Sequence, residues 1–577
     1  MPDTNAQLSA LFAQMADVMQ ILDVDRFRVN AYARAARALE DQTQDVSDIG
    51  PNVAALTKIE GIGKGMAQRI AEFLDTGGIE EHEQLMGQIP PGLPALLDIP
   101  GLGPKTIAVL WNQGGVESLD DLKAKLESDE LDGLPGIGKK KLENLRKSIA
   151  FAESSGGRVR IGQAMPLARF FVKALEQHDA VKQVTHAGSL RRGKETIGDL
   201  DIIVAADSQD AGAISDALVA LEPVQEVLVK GSTKTSVRTA DNLQADLRIV
   251  EPAQFGAALM YFTGSKEHNI AMRQRAIERG MRLNEYGLLK DKESIAAATE
   301  EDVFEALGLP WIPPELREDR GELALSEQKK LPKLVELSDI RAELHAHTTA
   351  SDGRWSIRDL AQAAAQRGFH TVAITDHSKS QAQANGLTAE RLEAHIEAIY
   401  KVRDELKDTI HVLAGSEVDI LADGQLDYPD SLLAALDIVV ASPHSALSQE
   451  PKKATARLLK AIENPFVTIL GHPTGRVLNR REGLSPDIAQ VVKAARARGI
   501  ALEINANNYR LDLRDTHARA ALEAGVKLAI NTDAHWPEHL DELPYGIMTA
   551  RRAGATPRDV VNCLPKAALG EWIGQTR

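Results

Sequence analysis

Two groups of residues in this chain have the types and spacing for phosphate chemistry. The first is Gly188-Ser189-Leu190-Arg191-Arg192-Gly193-Lys194-Glu195-Thr196-Ile197-Gly198-Asp199-Leu200-Asp201. Asp199 and Asp201 alternate with apolar residues, so on a strand both carboxylates point to one face. Carboxylates paired in this way can hold two divalent cations about 3.5–4 Å apart, the spacing for in-line phosphoryl displacement. Gly188 lets backbone approach a ligand closely, Ser189 offers a hydroxyl, and Arg192 a guanidinium suited to phosphate. Asp246, in Ala245-Asp246-Leu247-Arg248-Ile249-Val250, also alternates with apolar neighbours and could add a third carboxylate. Asp-Leu-Asp alone is more often an edge strand with two solvated acids; the turn and basic loop before it favour chemistry.

The second group is histidine-rich. His82, His178, His186 and His268 precede residue 340, and the other 11 of the 15 histidines follow it. Short apolar runs there end in metal-ligand residues. They lead into Glu343-Leu344-His345-Ala346-His347 with Asp352, Asp376-His377, Glu417, Pro443-His444, His472-Pro473 and Asp533-Ala534-His535; the run ending at Asn505 carries no histidine. Seven such runs separated by helical stretches predict a parallel (β/α)7 barrel. Functional residues gather at the C-terminal ends of barrel strands. That places His345, His347, Asp352, His377, Glu417, His444, His472, Asp533 and His535 at one mouth. One buried histidine is more often a hydrogen-bonded core residue, but nine ligands at strand ends point to metal. Mixed imidazole and carboxylate donors suit Mn²⁺, Zn²⁺ or Fe²⁺ and the activation of water against a phosphoester.

The elements that must position these groups divide the chain into several domains, expected at about 150 residues each. Aromatics make up only 4%, so aliphatic side chains must fill the cores. The single Cys563 excludes an intramolecular disulfide and a cysteine-rich zinc site, and fits a reducing cytoplasm. No apolar run approaches the ~18 residues of a membrane span, so a cytoplasmic protein without a membrane partner is expected. The net charge of −16 weighs mildly against nucleic acid, but binding depends on local patches. Residues 5–40 read as amphipathic helices with Leu8, Leu11, Phe12, Met15, Val18 and Met19 at helical spacing.

Between residues 59 and 139 a Gly-apolar-Gly turn occurs three times. It appears as Gly61-Ile62-Gly63-Lys64, Gly101-Leu102-Gly103-Pro104-Lys105 and Gly136-Ile137-Gly138-Lys139. The pattern resembles the helix-hairpin-helix DNA-binding motif, in which backbone N–H groups at a helix N-terminus face a phosphate and lysine adds charge. Such contacts read backbone, not bases. Lys140, Lys141, Arg146, Lys147, Arg158 and Arg160 follow, a run that alone would more often be a solvated face. Lys230 and Lys234 flank a polar segment that could touch a nucleic-acid backbone or form a hairpin turn.

Gly-Ser, nine residues, then Asp-Leu-Asp with a later aspartate resembles the nucleotidyltransferase superfamily. The continuation Tyr261-Phe262-Thr263-Gly264-Ser265-Lys266-Glu267-His268-Asn269, with Arg273, resembles the family X DNA polymerases. The likeness runs from the N-terminal helices to about residue 318. It implies that Asp199, Asp201 and Asp246 hold two Mg²⁺ or Mn²⁺ ions, and that Gly188, Ser189, Arg192 and Gly198 hold an incoming triphosphate. Tyr261 and Phe262, with Gly264, would form the sugar-facing wall, and Asn269 and Arg273 would face the nascent pair. Core packing is the commoner role for aromatics such as Tyr261 and Phe262. Arg69 stands where family members with lyase activity carry a Schiff-base lysine, and a guanidinium cannot act as that nucleophile.

The histidine-rich part resembles the polymerase-and-histidinol-phosphatase (PHP) domain, a seven-stranded barrel with about three metal ions. The combination is similar to bacterial family X polymerases that carry such a barrel. It implies gap-filling synthesis from dNTPs on gapped or nicked DNA in repair, with a 3′→5′ exonuclease that also cleans 3′ ends or cuts at abasic sites. The expected division is an N-terminal helical domain over 1–85 and a fingers-like helical region over 86–155. An α+β palm over 156–255, a thumb over 256–318, a linker over 319–340 and the PHP barrel over 341–577 follow. A monomer is expected. The competing readings are a small-molecule phosphatase fused to a nucleotidyltransferase, and a DNA-end-binding scaffold without catalysis.

Overall fold

A computed structural model describes the chain except residues 1–3, 41–45, 60, 100, 101, 129, 139, 140, 144, 147, 148, 150–156 and 292, and except the side chains of residues 6, 37, 40 and 98. The chain forms two compact units, Met1–Ser155 and Gly156–Arg577.

The first unit is helical. Helix Thr4–Ile21 buries Leu8, Phe12, Met15, Val18 and Met19, the stripe set by their spacing. Phe12 meets Tyr32 of helix Arg26–Glu40 edge-on, with ring centroids 5.6 Å apart. Ile62, Leu102 and Ile137, the apolar residues of the three turns, all enter this one core. Gly63 and Gly103 are the N-caps of helices Lys64–Thr76 and Pro104–Asn112.

The second unit begins with a five-stranded sheet of β1 (Gln183–His186), β2 (Asp199–Ala205), β3 (Val224–Lys230), β4 (Lys234–Thr239) and β5 (Gln244–Val250). Its order is β1-β2-β5-β4-β3, with β2 and β5 parallel and the other neighbours antiparallel. Leu200, Ile202 and Val204 pack with Ala164, Met165 and Ala168 of helix Ile161–Glu176. Ile203 lies with Ala258 and Leu259 of helix Phe255–Thr263. Strand alternation therefore turns Asp199 and Asp201 to the side of Ile203.

The thumb combines helices Phe255–Thr263 and Lys266–Glu278 with the antiparallel strands β6 (Arg282–Asn284), β7 (Gly287–Lys290) and β8 (Glu293–Ala296) and helix Glu300–Ala306. Residues 319–340 are tied down along their length. Glu322 accepts from buried His268 at 2.8 Å, Ser326 donates to the Pro310 carbonyl, and the Val335 N–H donates to Ala555.

The rest is the predicted barrel. Seven parallel strands, β9 (Ala342–Glu343), β10 (Thr371–Ile374), β11 (His411–Asp419), β12 (Ile438–Ser442), β13 (Ile469–Leu470), β14 (Ala501–Asn505) and β15 (Leu528–Asn531), lie in chain order. The His347 N–H donates to the Ala534 carbonyl at 2.9 Å and brings the first and last strands' ends together. Leu344, Ala373, Leu413, Val440, Ile469, Ala501 and Ala529 form an inner core closed by Leu569 and Ile573 of helix Lys566–Gln575. Among the described residues, no helix is long and apolar enough to cross a membrane.

Candidate active sites

In the palm, Asp201 of β2 lies in register with Asp246 of the parallel β5. Burial, then the neighbouring Asp199 and Asp246 charges, pushes the Asp201 carboxyl up to about 7. Asp246 escapes this rise. Burial acts on it too, but the Lys234 ammonium at 2.8 Å and the Gln244 amide at 2.9 Å hold it below the ordinary carboxylate value. Asp199 is exposed at the head of its strand. The three do not close into a group with all ligand atoms within 4.8 Å. A cation-demanding set with a lysine on one member fits divalent metal binding.

The turn before β2 is built tightly against these acids. Gly188 has φ +63°, and a Cβ there would stand 2.3 Å from Asp201 Oδ2, so only glycine fits. Ser189 Oγ is buried without a hydrogen-bond partner, as a ligand-facing hydroxyl would be. A Cβ on Gly198 would come 2.9 Å from Arg158 Nη1. The paired arginines have different duties. Arg191 forms a bidentate pair with buried Glu300, which also receives Arg317 and Trp311. Arg192 donates from Nε to Glu318 at 3.0 Å and from Nη1 to the Thr263 carbonyl.

Tyr261 and Phe262 lie edge to face at 5.2 Å, and the Arg248 guanidinium sits 4.9 Å from the Phe262 ring centre. A Cβ on Gly264 would stand 3.1 Å from Arg192 Nη1. Asn269 donates to the Tyr261 carbonyl at 2.6 Å and leaves Oδ1 buried without a partner; Arg273 Nε reaches the Asn269 carbonyl at 3.3 Å.

All nine residues expected at the barrel mouth are brought together there, in overlapping groups whose ligand atoms lie within 4.8 Å of one another. Glu417 is central. Its carboxylate is 2.8 Å from His377 Nδ1 and 3.2, 3.3 and 3.4 Å from Nε2 of His444, His472 and His345. Asp533, at φ +53°, stands 3.0 Å from His347 Nε2, and Asp352 stands 3.4 Å from His535 Nε2. His345 Nε2, both His347 nitrogens, His377 Nδ1, both Glu417 oxygens and Asp533 Oδ1 are buried and crowd one another at these distances without an aligned hydrogen bond. So many inward-facing orphans of ligand chemistry fit metal ions as their missing partners. Burial would raise the Glu417 carboxyl, but His444, His345 and His377 hold it well below its ordinary value.

Two acids that sequence reasoning missed orient these ligands. Glu503 accepts from or bonds to Nδ1 of His345 at 2.7 Å and of His472 at 3.0 Å. Asp419 does the same for His444 at 2.8 Å. A carboxylate on Nδ1 fixes the tautomer that presents Nε2 as a metal ligand. Both are buried carboxylates on largely apolar strands, which is the signal that could have revealed them.

In the helical unit, Gly63, Lys64, Gly103, Lys105, Gly136 and Gly138 are exposed, and a Cβ on Gly63, Gly103, Gly136 or Gly138 would meet nothing within 4 Å. Gly61, at φ +88°, packs against Ala38. Gly101, Lys139, Lys140 and Lys147 lie outside the described residues. Lys141 donates to Thr106. Of the palm lysines assigned to DNA, Lys230 pairs with Asp216, and Lys234 with Asp246. Arg69 is held with Arg28 and Tyr32 on the single carboxylate of Glu81.

Family models match a helix-hairpin-helix domain at residues 3–79, a SAM-like helix-hairpin-helix tandem at 93–150, the DNA polymerase beta thumb at 258–318 and the PHP domain at 343–507. The chain is 40% identical over 96% of its length, and 96% of the relative's, to the DNA polymerase/3′-5′ exonuclease PolX of Bacillus subtilis (strain 168). It is 26% identical to DNA polymerase lambda of Rattus norvegicus over 51% of this chain and 53% of that one. A probable phosphatase of Thermoanaerobacter sp. (strain X514) is 30% identical over 38% of this chain and 89% of its own.

Proposed function

Because the chain belongs to the family of the DNA polymerase/3′-5′ exonuclease PolX, we propose that it fills short gaps in DNA from dNTPs and removes 3′-terminal nucleotides by a separate hydrolysis. The observation that carries this reading is the presence in one chain of two unlike metal-type sites. One is a carboxylate set beside a glycine-serine turn; the other is a buried imidazole-carboxylate cluster in a barrel mouth.

In the palm, Ser189, Arg192 and the N–H-rich turn at Gly188 hold the triphosphate. Asp199, Asp201 and Asp246 hold two Mg²⁺ or Mn²⁺ ions. Bound ions of this kind neutralise phosphate charge and lower the pKa of the attacking hydroxyl. Lys234 shields Asp246 until that charge arrives. Tyr261 and Phe262 form the wall beside the sugar, and Asn269 and Arg273 lie towards the new pair. The helix-hairpin-helix turns grip DNA through phosphates, so binding is sequence-independent and weakens with salt.

In the barrel, His345, His347, Asp352, His377, Glu417, His444, His472, Asp533 and His535 hold about three ions, Mn²⁺, Zn²⁺ or Fe²⁺. Such ions supply an activated water and polarise the phosphodiester. Glu503 and Asp419 keep the imidazoles in the ligating tautomer. With Arg69 tied to Glu81 and no amine in its place, the chain does not use this position for a Schiff base.

A 5′-labelled primer on gapped DNA tests the reading. With dNTPs the primer lengthens by the gap, and without them it shortens when Mn²⁺ is supplied. Failure to extend with either Mg²⁺ or Mn²⁺ would sink the polymerase assignment.

A further inference from the structure

The palm turn that carries Arg192 is held from outside the palm. Arg552, on barrel helix Leu543–Ala553, is buried. Its Nη1 donates to the Arg192 carbonyl at 2.8 Å and to Glu318 at 2.9 Å, and its Nη2 donates to Asp515 at 2.7 Å. Glu318 also receives Arg192 Nε at 3.0 Å and stands 3.2 Å from the Lys194 ammonium. Gly193, at φ +65°, packs against Met548 of the same barrel helix. One barrel side chain thus grips both the backbone of Arg192 and the carboxylate that holds its guanidinium.

The bonding pattern of Arg192 is selective. Nε is taken by Glu318 and Nη1 by the Thr263 carbonyl, while Nη2 has no protein acceptor among the described residues. A guanidinium fixed on two nitrogens presents the third in a set direction, which less is lost by ordering when a phosphate oxygen arrives. The surrounding charge also favours an anion. Among the described residues, Arg192, Lys194, Arg320 and Arg552 share two carboxylates, Glu318 and Asp515.

We propose that Glu318 and Arg552 are positioning residues for Arg192, so that the barrel helps to build the triphosphate-binding turn of the palm. This rests on the reading of Arg192 as a triphosphate ligand. It makes the barrel a structural part of the polymerase site, apart from any hydrolysis at its own mouth.

The test is steady-state gap filling by full-length Arg552→Leu, Glu318→Gln, Arg192→Ala and the Arg192→Ala/Arg552→Leu double variant, with Mn²⁺-dependent 3′→5′ degradation measured in parallel. Arg552→Leu and Glu318→Gln should each raise the KM for dNTP about tenfold, the order expected for one charge-assisted hydrogen bond, with kcat and degradation within about twofold of the parent. Added to Arg192→Ala, Arg552→Leu should raise KM no further, which a merely structural contribution would not produce. If Arg552→Leu does not fold, the near-isosteric Glu318→Gln carries the test alone. The proposal is overturned if the KM stays within twofold in both single variants, or if the effects of Arg192→Ala and Arg552→Leu multiply. An unchanged KM in Arg192→Ala itself would instead overturn the reading of the turn as a triphosphate site.

Discussion

Asp201 and Asp246 face each other across two parallel strands, yet their carboxyls are driven in opposite directions. The difference is Lys234, whose ammonium lies 2.8 Å from Asp246. A lysine on a metal-binding carboxylate acts as a counter-ion that the metal must displace. Lys234→Ala should therefore lower the metal-free Tm by about 2–4 °C and make the rise in Tm on adding Mg²⁺ larger than in the parent. Equal Mg²⁺ shifts in the two proteins, read by calorimetry, would remove Lys234 from this role.

Glu503 bonds to two ligand imidazoles and to Asn531 at the buried floor of the cluster. Glu503→Gln keeps the volume but loses the charge that fixes both tautomers. Metal affinity or hydrolysis should fall about 10–100-fold, while gap filling is unaffected. Titration of metal-stripped protein with Mn²⁺ measures the first, and labelled-primer degradation the second.

The buried orphan nitrogens and oxygens of the barrel also predict a large effect of metal on stability. Ions that bind only the folded barrel stabilise it by mass action. Chelation should lower the melting transition of the barrel, and Mn²⁺ should restore it. A melting curve indifferent to chelator would contradict the ligand assignment.

Glu318 gives a pH dependence with a definite sign. Burial would raise its carboxyl, but Arg552, Arg192 and Lys194 hold it at about 2, against an ordinary glutamate value of about 4.3. A carboxyl depressed in the folded state adds stability that is whole above its unfolded pKa and fades as pH falls towards the folded one. The stability gap between the parent and Glu318→Gln should be constant above about pH 5 and close between there and about pH 2. Denaturant melts of both proteins across that range show whether it does.

Much of this was legible in the sequence because the chemistry is local. Seven apolar runs, six of them ending in candidate ligands, pointed to the barrel, since strand ends and mouth coincide in that fold. Asp199 and Asp201 shared a face by alternation alone, and the spacing of Leu8, Phe12, Met15 and Met19 matched a buried helical stripe. Contacts distant in sequence were not legible. Arg552 reaches Arg192 across 360 positions and reads in sequence as one of two basic residues ending an ordinary helix. Glu503 ends no histidine-bearing run, so its partnership with His345 and His472 appears only when the strands are assembled. Arg191 and Arg192 are adjacent and chemically alike. Only packing shows that the first ties the turn to Glu300 while the second turns to Glu318 and the Thr263 carbonyl.

The central claim is that one chain carries two independent phosphate chemistries. The direct measurement compares extension and shortening of one 5′-labelled gapped primer by two full-length double variants, Asp199→Ala/Asp201→Ala and His345→Ala/His347→Ala. The first should lose extension and keep Mn²⁺-dependent shortening; the second should do the reverse. If either variant, folded by circular dichroism, loses both activities or neither, the two-site account is wrong.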